Sequence, residues 1–328
     1  MKNPLWTPSP ERIEAAAMTA FRVAAGRVAG RELPDYDALH AWSLSDLDAF
    51  WRLYADVAQI PWQKEARAVR GPEPMPDTSW FPGAAVNYAE AVLHPRGVGE
   101  DGLNDDALAL IGVTETGARR TLTYVELRHL VGRIRASLVR DGVSAGDRVV
   151  AYACNVPEAT AILLACASIG AVFASCSPDF GAEAARARFA QVEPVLLFAS
   201  PAYHYGGRRF DTRETVHALR AALPTLQAVV LLPYPDEATP DLAGALGFDA
   251  WLAKTSELSF AALPFDHPLY VLFSSGTTGL PKAIVHRAGG ALLKHHCEHR
   301  LHCDVRPGDV VFYFTTCGWM MWNWLVSV

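Results

Sequence analysis

The amino-acid sequence predicts an α/β fold, a largely parallel sheet flanked by helices. Two observations carry this: short apolar strands alternate with amphipathic helices through residues 108–232, and the apolar run at 269–273 enters a loop built of Gly, Ser and Thr. With 328 residues, 51% of them hydrophobic, the chain has the material for a large core.

Residues 1–33 read as a tail with one amphipathic patch, Ile13, Ala17, Phe21 and Ala24. In residues 34–100, Leu39, Trp42, Leu44, Leu47, Phe50, Trp51 and Tyr54 stand at helical spacings, with Ser43 and Ser45 available as N-caps. The proline-rich stretch 71–85 excludes regular helix, so Trp80, Phe81 and Pro82 are expected to anchor an extended strap. A short helix is expected over 87–93.

From residue 101 the alternation begins. Residues 108–114 and 120–123 read as a hairpin, and Thr123 with Glu126 forms a capping box. Leu127, Leu130, Val131, Ile134 and Leu138 then make a helical stripe that stops at Asp141 and Gly142. Strands follow at 148–153, 171–175, 195–199 and 228–232, and helices at 157–169, 182–192 and 213–223. Repeated βα units of this kind form parallel sheets that bind ligands beyond the C-terminal strand ends.

Charge narrows the function. A net charge of −6 with no Lys/Arg run argues against a nucleic-acid partner. No apolar stretch reaches bilayer length and the N-terminus lacks an apolar signal core, so a cytoplasmic protein without a membrane partner is expected. The six cysteines form no CxxC pair, which points to reduced, mostly buried thiols.

The loop after residue 273 carries the chemistry. Ser274, Ser275, Gly276, Thr277, Thr278, Gly279, Leu280, Pro281 and Lys282 combine glycines that let backbone N–H groups converge on an anion, four hydroxyl donors, and an ammonium. It is not the Walker sequence, because Pro281 precedes Lys282 and Ala283 follows it.

The run SSGTTGLPKAIVH resembles the signature loop of the adenylate-forming superfamily of acyl-CoA synthetases, luciferases and peptide-synthetase adenylation domains. Ala283, standing where most members have glycine, is similar to the acetoacetyl-CoA synthetase branch, as are YDALHAWSLSDLDAFWRLYAD, SWFPGAAVNYAE, SPDFGAEAARARFAQVEPVLLF and TTCGWMMWNWLVS. The resemblance covers residues 36–327. It implies a tail over 1–33, an acetyl-CoA-synthetase-type cap region over 34–100, and a partial AMP-binding domain over 101–328.

The implied reaction joins a small acid, acetoacetate by this branch, to CoA at the expense of ATP, with Mg²⁺ bridging phosphate oxygens. Ser274, Ser275, Gly276, Thr277, Thr278, Gly279 and Lys282 would surround the pyrophosphate portion of ATP, with Lys282, Thr277 and Thr278 stabilising charge as it leaves. Trp319, Met320 and Met321 would line the acyl pocket, which Trp322, Asn323 and Trp324 either shape or support as core. Arg208 is expected at the CoA nucleotide, or is a plain surface arginine. No protein ligand for a metal is assigned: His295 and His299 have the i, i+4 spacing of a metal pair, but a polar helix is the alternative. Glu183, Arg186, Arg188 and Glu193 read as a solvated face.

The family's adenine-binding strand, ribose-binding aspartate, hinge and small domain with its lysine do not occur among these residues. The sheet is therefore expected to be incomplete at one edge, leaving apolar surface exposed and the 328 residues inactive alone. Alternatives are a synthetase for acetate or propionate, and a noncatalytic nucleotide-binding protein. The oligomeric state is not legible.

Overall fold

A computed structural model describes residues 5–95, 106–235, 237–274 and 279–328. The N-terminal part is helical: α1 (Pro10–Ala15), α2 (Ala17–Ala29), α3 (Tyr36–Ser45) and α4 (Leu47–Val57). Helix α2 buries Phe21 and Ala25, whereas Ile13 of the expected patch is half exposed, because α1 breaks from α2 at Ala16. Helices α3 and α4 are capped by Asp35 and Asp46, which accept hydrogen bonds from the N–H groups of Ala38 and Ala49. This corrects Ser43 and Ser45 as caps: their hydroxyls instead donate to the carbonyls of His40 and Trp42 within the helix.

The proline-rich strap has no helix, as expected, but it is not simply extended: it turns at Met75 and Pro76 and again at Pro82 and Gly83, and Phe81 takes φ +44° while lying fully buried between Trp62 and Phe265. It leads into β1 (Ala85–Val86) and α5 (Tyr88–Leu93). Asn87 caps α5 with its carbonyl oxygen and donates its amide to the carbonyls of Ala167, Ser168 and Ala261, so one buried side chain ties the strap to the main body.

The hairpin β2 (Leu108–Val113) and β3 (Arg119–Thr123) leads into α6 (Tyr124–Arg140), whose capping box of Thr123 and Glu126 is formed in both directions. Then follow β4 (Arg148–Tyr152), α7 (Pro157–Ile169), β5 (Val172–Cys176), α8 (Ala182–Phe189) and β6 (Leu196–Ala199). A small antiparallel hairpin, β7 (Ala202–Tyr205) and β8 (Arg208–Asp211), precedes α9 (Arg213–Ala222) and β9 (Ala228–Leu231). After β10 (Leu246–Gly247), α10 (Phe248–Trp251) and β11 (Leu263–Pro264) come the strands β12 (Pro268–Ser274) and β13 (Lys282–Arg287). The described chain closes with α11 (Ala288–Cys297), a turn of π-helix (Glu298–His302) and α12 (Met320–Val326).

The main sheet has the order β10-β9-β6-β4-β5-β12-β13. All neighbours run parallel except β13, which returns antiparallel along β12 at the edge. Helix α7 is buried along its whole length, which is why its sequence shows almost no polar face. One core lies on each side of the sheet: Tyr270 and Leu272 face a cluster that reaches from Phe21 to Trp322, and Val271 faces the cluster of Ala185, Phe189 and Val216. No helix among the described residues is long and apolar enough to cross a membrane.

Apolar side chains are exposed on the edge strand β13 and ahead of α12. Ile284 and Val285 on β13, together with Val310, Phe312 and Phe314 in a segment without helix or strand assignment, are exposed.

Candidate functional site

Because β4, β5, β6, β9 and β12 are parallel, their C-terminal ends share one edge, and the loops leaving them carry the residues expected to form the site. Strand β12 delivers Ser274 to that edge, and β13 brings Lys282 back directly opposite it in the antiparallel register. The two ends of the expected phosphate loop are thus held one strand spacing apart. Ser275, Gly276, Thr277 and Thr278 lie outside the described residues. Gly279 has φ +149°, a conformation that L side chains rarely adopt, and a Cβ there would meet open space, so backbone conformation rather than crowding requires glycine. The Pro281 carbonyl accepts a hydrogen bond from the Gln191 side chain at 2.9 Å. The Lys282 side chain is exposed.

The segment 317–322 is fastened to the ends of β4 and β5. Ser175 Oγ donates to the Cys317 carbonyl at 2.5 Å, and Cys317 Sγ approaches the Cys154 carbonyl at 3.4 Å. Gly318 lies over the start of the next loop, where a Cβ would stand 3.4 Å from the Ser177 nitrogen. Trp319 is extended and 60% exposed. Met320 lines an open cleft of about 540 Å³ with His286, Arg287, Lys294, His295 and Glu298, and Met321 is half-buried.

The third element is the hairpin after β6. Arg208 is exposed on β8 opposite Tyr205. The hairpin is held from two sides, where Glu237 accepts from Arg209 Nε at 3.1 Å and pairs with His204, and where the Gly206 N–H donates to Glu115 at 2.7 Å; within it Tyr203 stacks on Phe210 across the strands at 4.8 Å. Burial pushes the Glu237 carboxyl up, but hydrogen bonds from His204 and Arg209 hold it below the usual carboxylate range.

Residues 102–327 match the family model described as AMP-binding enzyme. The chain belongs to the AMP-binding enzyme family. A second model, acetyl-coenzyme A synthetase N-terminus, matches residues 36–92 of this AMP-binding enzyme. The chain is 43% identical over 333 residues to acetoacetyl-coenzyme A synthetase of Rhizobium meliloti, covering 99% of this chain and 49% of the relative. It is 37% identical over 335 residues to malonamoyl-CoA synthetase vrtB of Penicillium aethiopicum, covering 98% and 46%. The solved structure of acetoacetyl-CoA synthetase from Streptomyces lividans superposes with a TM-score of 0.91 at 45% identity, covering 99% of this chain and 49% of that one. The chain therefore spans about half the length of the relatives it matches.

Within this AMP-binding enzyme, Trp322 and Trp324 differ in burial. Trp322 is core: it is 1% exposed, tilted against Phe173, and its indole N–H donates to Asn155 at 2.8 Å. Trp324 is half-buried, donating to Glu298 at 3.0 Å. Asn323 is buried and donates to the Trp319 carbonyl at 3.3 Å, so it braces α12 from within.

The histidine-rich helix is not the polar helix offered as the alternative to a metal pair. His295 and His299 are buried, and each is engaged by a neighbour, Ser327 Oγ at 2.7 Å and the Trp324 carbonyl at 3.0 Å. Among the described residues no group of three or more His, Cys, Asp or Glu is placed to hold a metal. On α8, Glu183 pairs with Arg186 at 2.6 Å on an exposed face, as its spacing suggested, while Arg188 turns back over the Phe180 ring at 4.5 Å. All six cysteines are free, four of them buried as expected, with Cys154 intermediate and Cys303 exposed.

Sequence reading missed His204, Arg209 and Glu237. Their grouping had no local signal, because Glu237 lies 33 residues from His204 and joins it only after β9 is laid beside β6.

Proposed function

We propose that this chain is the phosphate-gripping and acid-binding part of an ATP-dependent acid–thiol ligase acting on a short 3-oxo acid, acetoacetate foremost. The observation that carries the reading is the facing of Ser274 and Lys282 across β12 and β13 at the ligand-binding edge of a parallel sheet. The relatives' names narrow the acid: acetoacetyl and malonamoyl groups are both short and both carry a carbonyl on the third carbon.

In this reading a carboxylate oxygen of the acid attacks the α-phosphorus of ATP, and the bond to the pyrophosphate oxygen breaks. The products are acyl adenylate and pyrophosphate. The CoA thiol, its proton passing to solvent, then attacks the acyl carbonyl through sulfur, and AMP departs with the bonding electrons. Lys282 and the loop's hydroxyl and amide donors stabilise the charge gathering on pyrophosphate, a role worth about 3 kcal/mol of barrier per well-placed donor. Met320 and Met321 offer an adaptable apolar wall to the short acyl chain. Arg208 meets the phosphates of the CoA nucleotide. Mg²⁺ brought in with ATP would neutralise part of the triphosphate charge, and no group of three or more metal-ligating side chains among the described residues is assigned to hold it.

Acid-dependent exchange of pyrophosphate into ATP by the full-length polypeptide tests this. Acetoacetate is expected to support the fastest exchange; a clear preference for acetate or propionate would overturn the choice of acid, and exchange independent of any acid would overturn the ligase reading.

A further inference from the structure

We infer that Asn155 is a specificity-determining positioning residue, acting through Trp322 on the acyl-pocket residues Met320 and Met321; the inference deepens the ligase reading and rests on it. The indole of Trp322 can only donate, so the atom that meets it at 2.8 Å is the Asn155 carbonyl oxygen, and the orientation of the amide follows. The two residues are 167 positions apart. Asn155 sits in the short connection between β4 and α7, at the same strand-end edge as the phosphate loop.

That connection is itself fixed. The Cys154 N–H donates to Ser200 Oγ at 3.0 Å, the Val156 N–H donates to the Cys154 carbonyl at 2.9 Å, and Cys317 Sγ approaches that same carbonyl. The chain around Asn155 is therefore a rigid post. Trp322 is held against it on one side and against Phe173 of β5 on the other, with a centroid separation of 6.2 Å.

Consecutive residues of an α-helix point about 100° apart, so fixing Trp322 fixes the rotation of α12 and with it the directions of Met320 and Met321. Met320 is the member of this trio that lines the open cleft. Methionine alone specifies a pocket poorly, because its unbranched side chain adapts to what it meets. The precision needed to separate short acids must then come from where the helix places the methionines. A polar residue at 155 fits this use: it is exposed apart from its contact, and its acceptor satisfies a donor that is otherwise buried.

The test compares wild type, Asn155→Val, which removes the acceptor, and Asn155→Asp, which keeps it, all as the full-length polypeptide. The readout is the ratio of kcat/KM for acetoacetate to that for butyrate in pyrophosphate exchange, together with KM for ATP. The expected result is a ratio changed at least tenfold in Asn155→Val and restored to within about threefold by Asn155→Asp, with KM for ATP within twofold throughout. A loss of rate shared equally by both acids indicates structural damage and overturns the inference. So does an unchanged ratio in Asn155→Val when the wild type is selective. If Asn155→Val is insoluble, Trp322→Phe, which removes the donor, is expected to change the ratio in the same way, and an unchanged ratio there is equally fatal. A wild type without acid-dependent exchange overturns the ligase reading first, and this inference with it.

Discussion

Ser274 and Lys282 face each other across the edge pair of the main sheet, the last residue of β12 against the first of β13. A hydroxyl and an ammonium separated by seven residues in sequence are thereby held at the two feet of one loop. The pairing places the only charged side chain of that loop by backbone hydrogen bonding rather than by side-chain packing, which matters for what its removal will do.

Replacing Lys282 with alanine is expected to slow acid-dependent pyrophosphate exchange by roughly 100- to 1000-fold, the scale of losing one preorganised transition-state donor. Stability will hardly move, because the side chain is exposed and surface replacements of this kind stay within about 0.5 kcal/mol. Exchange kinetics and a urea denaturation curve on the same preparation check both halves.

Arg208→Ala separates the two half-reactions. The side chain projects from a hairpin that Glu237 and Glu115 hold through other residues, so its loss leaves the hairpin intact. The expected outcome is a rise of about tenfold in KM for CoA with pyrophosphate exchange in the absence of CoA unchanged. A fall in exchange would place Arg208 in the adenylation step instead.

Two adjacent glycines at the start of α11 are expected to respond in opposite directions. A Cβ on Gly289 would lie 2.2 Å from the Phe265 ring, inside the core, so Gly289→Ala is expected to cost roughly 1–3 kcal/mol through overpacking. At Gly290 the nearest atom is Arg287 Cβ at 3.9 Å, and alanine there is expected to stabilise the helix by roughly 0.5–1 kcal/mol. Paired denaturation midpoints decide it.

The histidines of α11 make the fold sensitive to acid. Burial lowers His295 and His296 to about 4, while unfolding returns them to their ordinary value near 6.5. Between those values the unfolded chain binds more protons than the folded one, so the stability present above about pH 6.5 is lost as pH falls toward 4. Each histidine contributes up to about 1.4 kcal/mol per pH unit in that window. Urea midpoints at pH 7, 6 and 5 are expected to fall in sequence, and a flat series would refute the assignment.

Much of this architecture was legible because it is written in short-range chemistry. The helix at Pro157–Ile169 follows from a proline that starts it and a glycine in left-handed conformation that stops it, and the capping box at Thr123 and Glu126 is a four-residue signal. Other signals misled for equally local reasons. Ser43 and Ser45 have capping chemistry, but the chain turns one residue later, at Asp46, which takes the role. The antiparallel course of β13 had no signature at all, since its exposed Ala283, Ile284 and Val285 alternate with nothing.

By itself the sequence determined the alternation of strands and helices, the Gly-, Ser- and Thr-rich composition of the loop from Ser274 to Lys282, and the glycine whose φ of +149° that loop uses. These depend on residues within a few positions of one another, where propensity and hydrogen-bonding capacity act directly. Tertiary structure alone decided that Trp322 is core and answers to Asn155, that Glu237 gathers His204 and Arg209, and that the histidine helix is buried under Tyr54, Tyr88 and Ser327. Those partners are separated by tens to hundreds of residues, and a buried donor selects its acceptor by position in space, which emerges only when the strands have been ordered into the sheet.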